Sequence, residues 1–269
     1  MLPKTLLGEE KHRQYKRELE ISISLSIIKP FLNNTDIARK SKISILEFGS
    51  GNGFQLPHLN KIGDVIASDI YFDNNIKEMK DIYFIKCDIA NAPLKDNLFD
   101  LIYSNHVIEH LKNLQDAFSE LKRIGKSNCI YAFAVPTNIW LLLSIPAQYI
   151  VHIRTLIKKI LLRIIRNGLY DNKYNIINSI ANSNNTKKTF IHYLSKLFPQ
   201  AHGEYNSFFA CYKNFRIKNW INTFKINGFN IITKFPLLLY GPSEWPLIPT
   251  MKPHNNICSS VLFILKNKI

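Results

Sequence analysis

Short apolar runs of β-forming residues recur along the first half of the chain, separated by stretches with a helical period. The runs lie at residues 43–48, 65–69, 82–87, 98–103 and 129–135, and Pro136 stops the last. Between them, residues 54–62 and 74–79 suit short helices. Residues 114–124 place apolar side chains at 114, 117, 118, 121 and 124, one face of a helix. Upstream, residues 9–40 are mixed and charged and read as one or two helices. Strands alternating with helices predict βαβ units around a buried parallel sheet. After Pro136 the rhythm breaks for about sixty residues (137–200), basic, apolar and rich in Asn. It resumes with a helix at 217–227 closed by Gly228, then two strands at 229–235 and 260–265 that should pair antiparallel. The predicted organisation is an N-terminal helical segment (1–40), a core (41–136), an insertion (137–203) and a completion of the core (204–269).

The first strand runs into Gly49-Ser-Gly51-Asn-Gly53 and then a helix, the opening of a nucleotide-binding βαβ unit. Two details narrow the ligand. A dinucleotide fingerprint needs a third glycine at position 54, where this chain has Phe54. Glu47 precedes the loop by two residues, and a carboxylate there repels a pyrophosphate but attracts an ammonium or a sulfonium. Asp69 ends the second run, at the distance from the loop where an acid accepts ribose hydroxyls. Asp88 follows the third run and can accept from an exocyclic amine, with Ile70 and Ile89 packing on the base. Each acid alone could be a helix cap or turn residue. Three of them at successive strand ends, with the glycines, point to a ligand crevice.

These residues resemble the class I S-adenosylmethionine-dependent methyltransferases, closest to the ubiquinone- and menaquinone-type branch. The matching stretches are Ile-Leu-Glu47-Phe-Gly49-Ser-Gly51-Asn-Gly53, Asp69, Cys-Asp88-Ile-Ala-Asn-Ala-Pro93-Leu, and Phe99-Asp100 through Glu109-His110-Leu. Residues 40–136 carry the resemblance well and 204–269 loosely. It implies an α/β, Rossmann-like fold with a seven-stranded, mostly parallel sheet and an inserted, mainly helical lid. It also implies S-adenosyl-L-methionine as cofactor, with Glu47, Gly49, Ser50, Gly51 and Gly53 at its methionine part, Asp69 at the ribose, and Ile70, Asp88 and Ile89 at the adenine. Ser104, Asn105 and His106 would border the sulfonium. The methyl acceptor is expected to be an oxygen or nitrogen of a small molecule, glycan or lipid-linked intermediate. An RNA methyltransferase and a non-catalytic membrane-associated protein of the same fold are the alternatives. His106 and His202 are the candidate proton acceptors, a surface position being the alternative for His202.

His106-Val-Ile-Glu109-His110 also matches the inverted zinc-protease motif, but that motif belongs on a helix and here follows a strand. No protease and no tightly held structural zinc are expected, with His106, Glu109 and His110 the residues to test for a metal. The four cysteines lie far apart without a C-x-x-C pair, against a disulfide framework and for a reducing, cytoplasmic setting.

Charge changes the picture of the second half. Of 35 Lys+Arg and 20 Asp+Glu, residues 137–269 hold 17 and three, so the net charge is +1 before residue 137 and +14 after it. On a helix over 150–166, Ile153, Leu156, Ile157, Ile160, Leu161 and Ile164 gather on one face. Arg154, Lys158, Lys159, Arg163 and Arg166 take the other half, and Trp140 and Tyr149 lead into it. That arrangement suits an anionic membrane surface, with lid packing or a subunit contact as alternatives and nucleic acid less favoured. Residues 139–153 are uncharged up to Arg154 but short of the ~18 apolar residues a span needs. The first residues show no apolar run of the kind a secretory signal carries.

Overall fold

The computed structural model describes residues 9–33, 42–71, 79, 81–168, 201–241, 250–255 and 257–268. The predicted helix at 74–79 (all but Met79) and the part of the insertion at 169–200 lie outside the described residues.

Seven strands form one sheet: β1 (Ile43–Phe48), β2 (Gly63–Asp69), β3 (Ile82–Lys86), β4 (Phe99–Asn105), β5 (Gly125–Pro136), β6 (Phe229–Leu238) and β7 (Ser260–Asn267), in the order β3-β2-β1-β4-β5-β7-β6. The pairings β1–β2, β2–β3, β1–β4 and β4–β5 are parallel, and β7 runs antiparallel to both neighbours. This is the expected seven-stranded, mostly parallel sheet. The central strands are buried on both faces, which is why they read as continuous apolar runs: every residue of β4 is buried. The last two strands pair as expected. Their connection spans residues 239–259, so they are not joined by a tight turn. Two boundaries differ from the pattern. β5 starts at Gly125, directly after the preceding helix, and the helix expected over 54–62 is the single turn α2 (Leu56–Leu59).

One face of the sheet packs on α3 (Leu114–Ile124), α5 (Phe208–Asn214) and α6 (Ile217–Ile226). Ala117, Phe118, Leu121 and Ile124 bury the predicted stripe of α3, and Asn113 caps it by accepting from the Asp116 N–H. Phe48, Phe118, Phe133, Phe224, Phe229 and Phe263 form the aromatic centre of that layer, and the Trp220 indole N–H donates to the Pro136 carbonyl at 2.9 Å. The long α4 (Asn138–Gly168) leaves the end of β5 and contains the helix expected over 150–166.

The opposite face is covered by α1 (Glu9–Asn33), where Ile21, Leu25, Ile28 and Leu32 form the buried stripe. Polar contacts fix its position as well. The Glu20 carboxylate is fully buried and accepts from Tyr240 Oη (2.8 Å), Ser260 Oγ (2.5 Å), Asn105 Nδ2 (3.1 Å) and Arg17 Nη1 (3.0 Å). Helix α1 is thereby tied to the end of β4, the start of β7 and the segment after β6. Burial opposes ionisation, but the facing His106, the Arg17 charge and the Ser260 hydroxyl hold the Glu20 carboxyl well below the usual range. Truncating Glu20 would strand these donors out of water, so Glu20→Ala should cost about 3 kcal/mol or more of unfolding free energy in urea titrations. A cost below ~1 kcal/mol would show that the apolar stripe alone docks the helix.

Candidate active site

In an open parallel sheet the crevice for a ligand lies where the strand order reverses, here between the carboxyl ends of β1 and β4. The glycine loop follows β1 at that point. Gly49, Gly51 and Gly53 all have positive φ (69°, 51° and 75°). The reasons differ along the loop. A Cβ on Gly49 would collide with the Val107 side chain, whereas one on Gly51 would meet nothing within 4 Å, because open space lies above it. The Gly49 and Ser50 N–H groups both donate to the Ser68 carbonyl (2.7 and 3.1 Å), closing the loop against β2.

A cleft of about 300 Å³ opens beside the loop, lined among others by Gly49, Asp69, Ile70, Asp88, Ile89 and His106. Asp69 has a role that its position in the sequence did not reveal. Its Oδ2 accepts from the Gly51 N–H (2.9 Å) and its Oδ1 from the Tyr71 N–H (3.0 Å), so it shapes the loop as well as facing the cleft. Each oxygen retains a lone pair. Asp88 likewise accepts from the Ala90 N–H (2.9 Å) and caps the turn at Ile89–Asn91 while lining the cleft. Ile70 and Tyr71 are exposed at its edge.

Glu47 sits deeper, 2% exposed, and its Oε2 has no hydrogen-bond partner among the described residues. Burial, with a lesser contribution from the charge of Asp69, pushes its pKa up to about 8. The Ser50 and Ser104 hydroxyls are also buried without a partner among the described residues. Asn105 is placed differently from its neighbours: its amide bonds Glu20 and accepts from Arg17 Nη1 (2.9 Å), so its side chain serves the α1 contact.

His106 stands at the junction with a second cleft of about 290 Å³, lined by residues of α1 (Arg13, Lys16, Arg17, Glu20) and by Glu109, His110, Trp140, His202 and Tyr240. His106 holds a left-handed backbone (φ 57°). Its Nε2 lies 3.0 Å from Tyr240 Oη, and its Nδ1 faces Glu109 Oε1 at 3.6 Å. Burial and Arg17 disfavour its charge, yet Glu109 and Glu20 outweigh them and raise its pKa. His202, distant in sequence, is brought to the same cleft, its ring 4.8 Å from that of His110 and 4.7 Å from that of Trp140. Trp140 therefore belongs to the cleft wall and the core, not to an interfacial belt around α4. Sequence reasoning missed Arg17, Glu20 and Tyr240, because a lone Glu in a charged helix and a Tyr in a loop carry no local signal of their meeting.

Residues 46–133 match a family model described as a methyltransferase domain. A curated relative, the malonyl-[acyl-carrier protein] O-methyltransferase of Buchnera aphidicola subsp. Baizongia pistaciae, is 28% identical over 117 residues. That match spans 42% of this chain and 44% of the relative. Among solved structures, an S-adenosylmethionine-dependent methyltransferase from Aquifex aeolicus superposes with a TM-score of 0.50 at 13% identity, covering 96% of this chain and 98% of the other. The Burkholderia thailandensis 1,6-didemethyltoxoflavin-N1-methyltransferase, with 1,6-didemethyltoxoflavin and S-adenosylhomocysteine bound, gives 0.53 at 9% identity, covering 95% of this chain and 81% of the other.

The raised pKa of Glu47 has a measurable consequence. The unfolded chain loses this proton near 4.5 and the folded protein keeps it until about 8. Folding then becomes costlier as pH rises between those values, by about 1.4 kcal/mol per pH unit from this group. Glu47→Gln should flatten that part of the stability profile, followed by urea unfolding from pH 5 to 8. An unchanged slope would mean that Glu47 ionises normally.

Proposed function

We propose that this chain, whose residues 46–133 match a methyltransferase domain, is a class I, S-adenosylmethionine-dependent methyltransferase that moves a methyl group to an oxygen or nitrogen of an acceptor held in the second cleft. The observation that carries this reading is that Glu47 Oε2, Ser50 Oγ and Ser104 Oγ, on the strand before the glycine loop, in the loop and on the neighbouring strand, are buried without a partner among the described residues, while a Cβ on Gly51 would meet nothing within 4 Å. Such a set suits a cationic, polar nucleoside better than a phosphorylated one. Glu47, once deprotonated, would hold the ammonium of the methionine part. Asp69 would take the ribose hydroxyls on the lone pairs left by Gly51 and Tyr71, and Asp88 the adenine amine between Ile70 and Ile89. When bound, S-adenosylmethionine supplies a methyl group activated by its sulfonium, so the protein has mainly to align and enclose.

On the acceptor side, His106 links the two clefts. Tyr240 gives its hydroxyl proton to Glu20, so His106 Nε2–H donates to Tyr240 Oη and Nδ1 is the nitrogen that can take a proton from an acceptor hydroxyl or amine, the carboxylates of Glu109 and Glu20 favouring the imidazolium that forms. His202 offers a second imidazole in the same cleft. The acceptor class remains that expected from the resemblance: a small molecule, a glycan or a lipid-linked intermediate. Labelled S-adenosylmethionine added to fractionated cell extracts would identify it by the methylated product.

An anionic membrane surface is the second partner we propose, on the observation that α4 leaves the body of the protein with Ile153, Ile157, Leu161 and Leu162 each more than half exposed. Leu141 at the start of the same helix is fully packed. Ile153, Ile157 and Leu161 recur every four residues along one side, with Arg154 and Lys158 exposed beside them. Among the described residues no helix is long and apolar enough to cross a membrane. A helix of this pattern lies along the interface instead.

Two outcomes are expected. In calorimetry, Asp69→Ala should weaken S-adenosylmethionine by about 1.5–3 kcal/mol, and Gly51→Val should abolish binding, since a branched side chain would fill the open space over the loop. Unchanged affinity in folded Asp69→Ala would remove Asp69 from the site. In co-sedimentation, liposomes containing anionic lipid should carry the protein down at low salt, and less at high salt. A variant with Arg154, Lys158, Arg163 and Arg166 changed to Gln should stay in the supernatant. Equal recovery of both proteins from the supernatant at low salt would assign the helix to packing.

A further inference from the structure

We propose that the second cleft takes an acceptor bearing a carboxylate or phosphate group, held by Arg13 and Arg17 of α1. The proposal rests on the methyl-transfer reading and names the chemical class of its acceptor. Helix α1 changes character along its length. Ile21, Leu25, Ile28 and Leu32 bury an apolar stripe on the sheet. In the turns before them, Arg13, Lys16, Arg17 and Glu20 follow one another at spacings of three, one and three residues, which gathers them on one face of the helix. All four line the second cleft. Where α1 passes the carboxyl ends of the strands, its inward face is therefore charged instead of apolar.

The acids of this cleft are engaged, and its cations are less so. Glu20 takes its four hydrogen bonds, one of them from Arg17, and Glu109 faces the His106 and His110 imidazoles at 3.6 and 3.9 Å. Arg17 spends Nη1 on Glu20 (3.0 Å) and on the Asn105 side-chain oxygen (2.9 Å), yet its side chain stays 28% exposed. The donors on its Nε and Nη2 remain for a ligand. Arg13 is exposed, and no ion pair joins it to another described residue. Lys16 is buried, donates to the Gly241 carbonyl (3.2 Å) and stands 4.7 Å over the Tyr240 ring, so its charge adds to the field of the cleft. A concave site with this surplus of positive charge attracts an anion.

The geometry also limits where the anion sits on the acceptor. Arg17 Nη1 lies 3.0 Å from one oxygen of Glu20, and His106 Nε2 lies 3.8 Å from the other. Guanidinium and imidazole thus stand on either side of a single carboxylate. An anion on the free edge of Arg17 would be only a few bonds from an atom presented to His106. A guanidinium edge pairs with two oxygens of a carboxylate or phosphate at once, which fixes orientation as well as charge. The cleft is small, about 290 Å³, and Trp140 and Tyr240 give it aromatic walls. It suits a compact, flat acid whose hydroxyl or amine lies close to the anionic group. A neutral acceptor of the same shape would displace water from these cations without replacing it.

Benzoate, phenyl phosphate and benzyl alcohol are the probes, one ring with and without an anion, titrated into the full chain in phosphate-free buffer and followed by saturation-transfer NMR. At least one of the two anions should bind saturably and about tenfold or more tighter than benzyl alcohol, and the tighter anion identifies the group the cleft prefers. Arg13→Gln and Arg17→Gln should each weaken anion binding about tenfold or more. Lys225→Gln, which removes an exposed cation on α6, should bind as the unmodified protein does. Circular dichroism establishes that each variant is folded, and if Arg17→Gln is not, Arg13→Gln alone decides. Absence of anion binding at millimolar concentration, benzyl alcohol binding as tightly as the anions, or a folded arginine variant that holds the anions as the unmodified protein does overturns the proposal. Calorimetric titration of the unmodified protein with S-adenosylhomocysteine is a separate readout, so failure there would count against the methyltransferase reading and leave the anion site to be decided by the probes.

Discussion

A carboxylate taken out of water needs donors, a proton or a cation, and the three glutamates buried around the carboxyl ends of β1 and β4 meet that demand in three ways. Glu20 is ionised and takes four hydrogen bonds from Arg17, Asn105, Tyr240 and Ser260. Glu47 has too few donors and keeps its proton to about pH 8. Glu109 faces the imidazoles of His106 (3.6 Å) and His110 (3.9 Å), and His106 holds its carboxyl below the usual range. The first arrangement is complete and holds the fold together. Glu47 is the incomplete one, and incomplete polar burial is what a site waiting for a ligand has.

The fold sets up this contrast. A doubly wound sheet parts its helices at the switch between β1 and β4, so the strand ends there cannot all be covered. Helix α1 covers the side toward β6 and β7 and brings Glu20 under His106. The glycine loop leaves the other side open above Gly51, with Asp69 bracing it from β2. His106 faces both clefts and reaches Glu20 through Tyr240, so the docking of α1 and the geometry of the second cleft are one arrangement.

Much of this was legible in the chain because it is written in local pattern. Apolar runs marked the strands, the 114–124 period marked α3, and the glycine loop with Asp69 and Asp88 pointed to the strand ends where Gly49, Asp69 and Asp88 line a cleft. What escaped depends on contacts across long sequence separations. Glu20 meets Asn105, Tyr240 and Ser260, and His202 meets His110, with no periodicity or motif linking the partners. Asn105 looked like a cofactor neighbour because it precedes His106, yet the alternation of a strand turns its amide toward α1. Trp140 looked interfacial because it sits in an apolar stretch, but the packed beginning of α4 turns it into the cleft wall.

The central claim is that Glu47 stands ready for a cationic nucleoside. The most direct test is calorimetric titration with S-adenosylmethionine at pH 7, repeated in buffers of different ionisation enthalpy. Glu47 is mostly protonated in the free protein at that pH and must ionise to pair with an ammonium. The account predicts saturable binding that releases close to one proton, with the release absent in Glu47→Gln. Binding without proton release, or no binding at all, would contradict it.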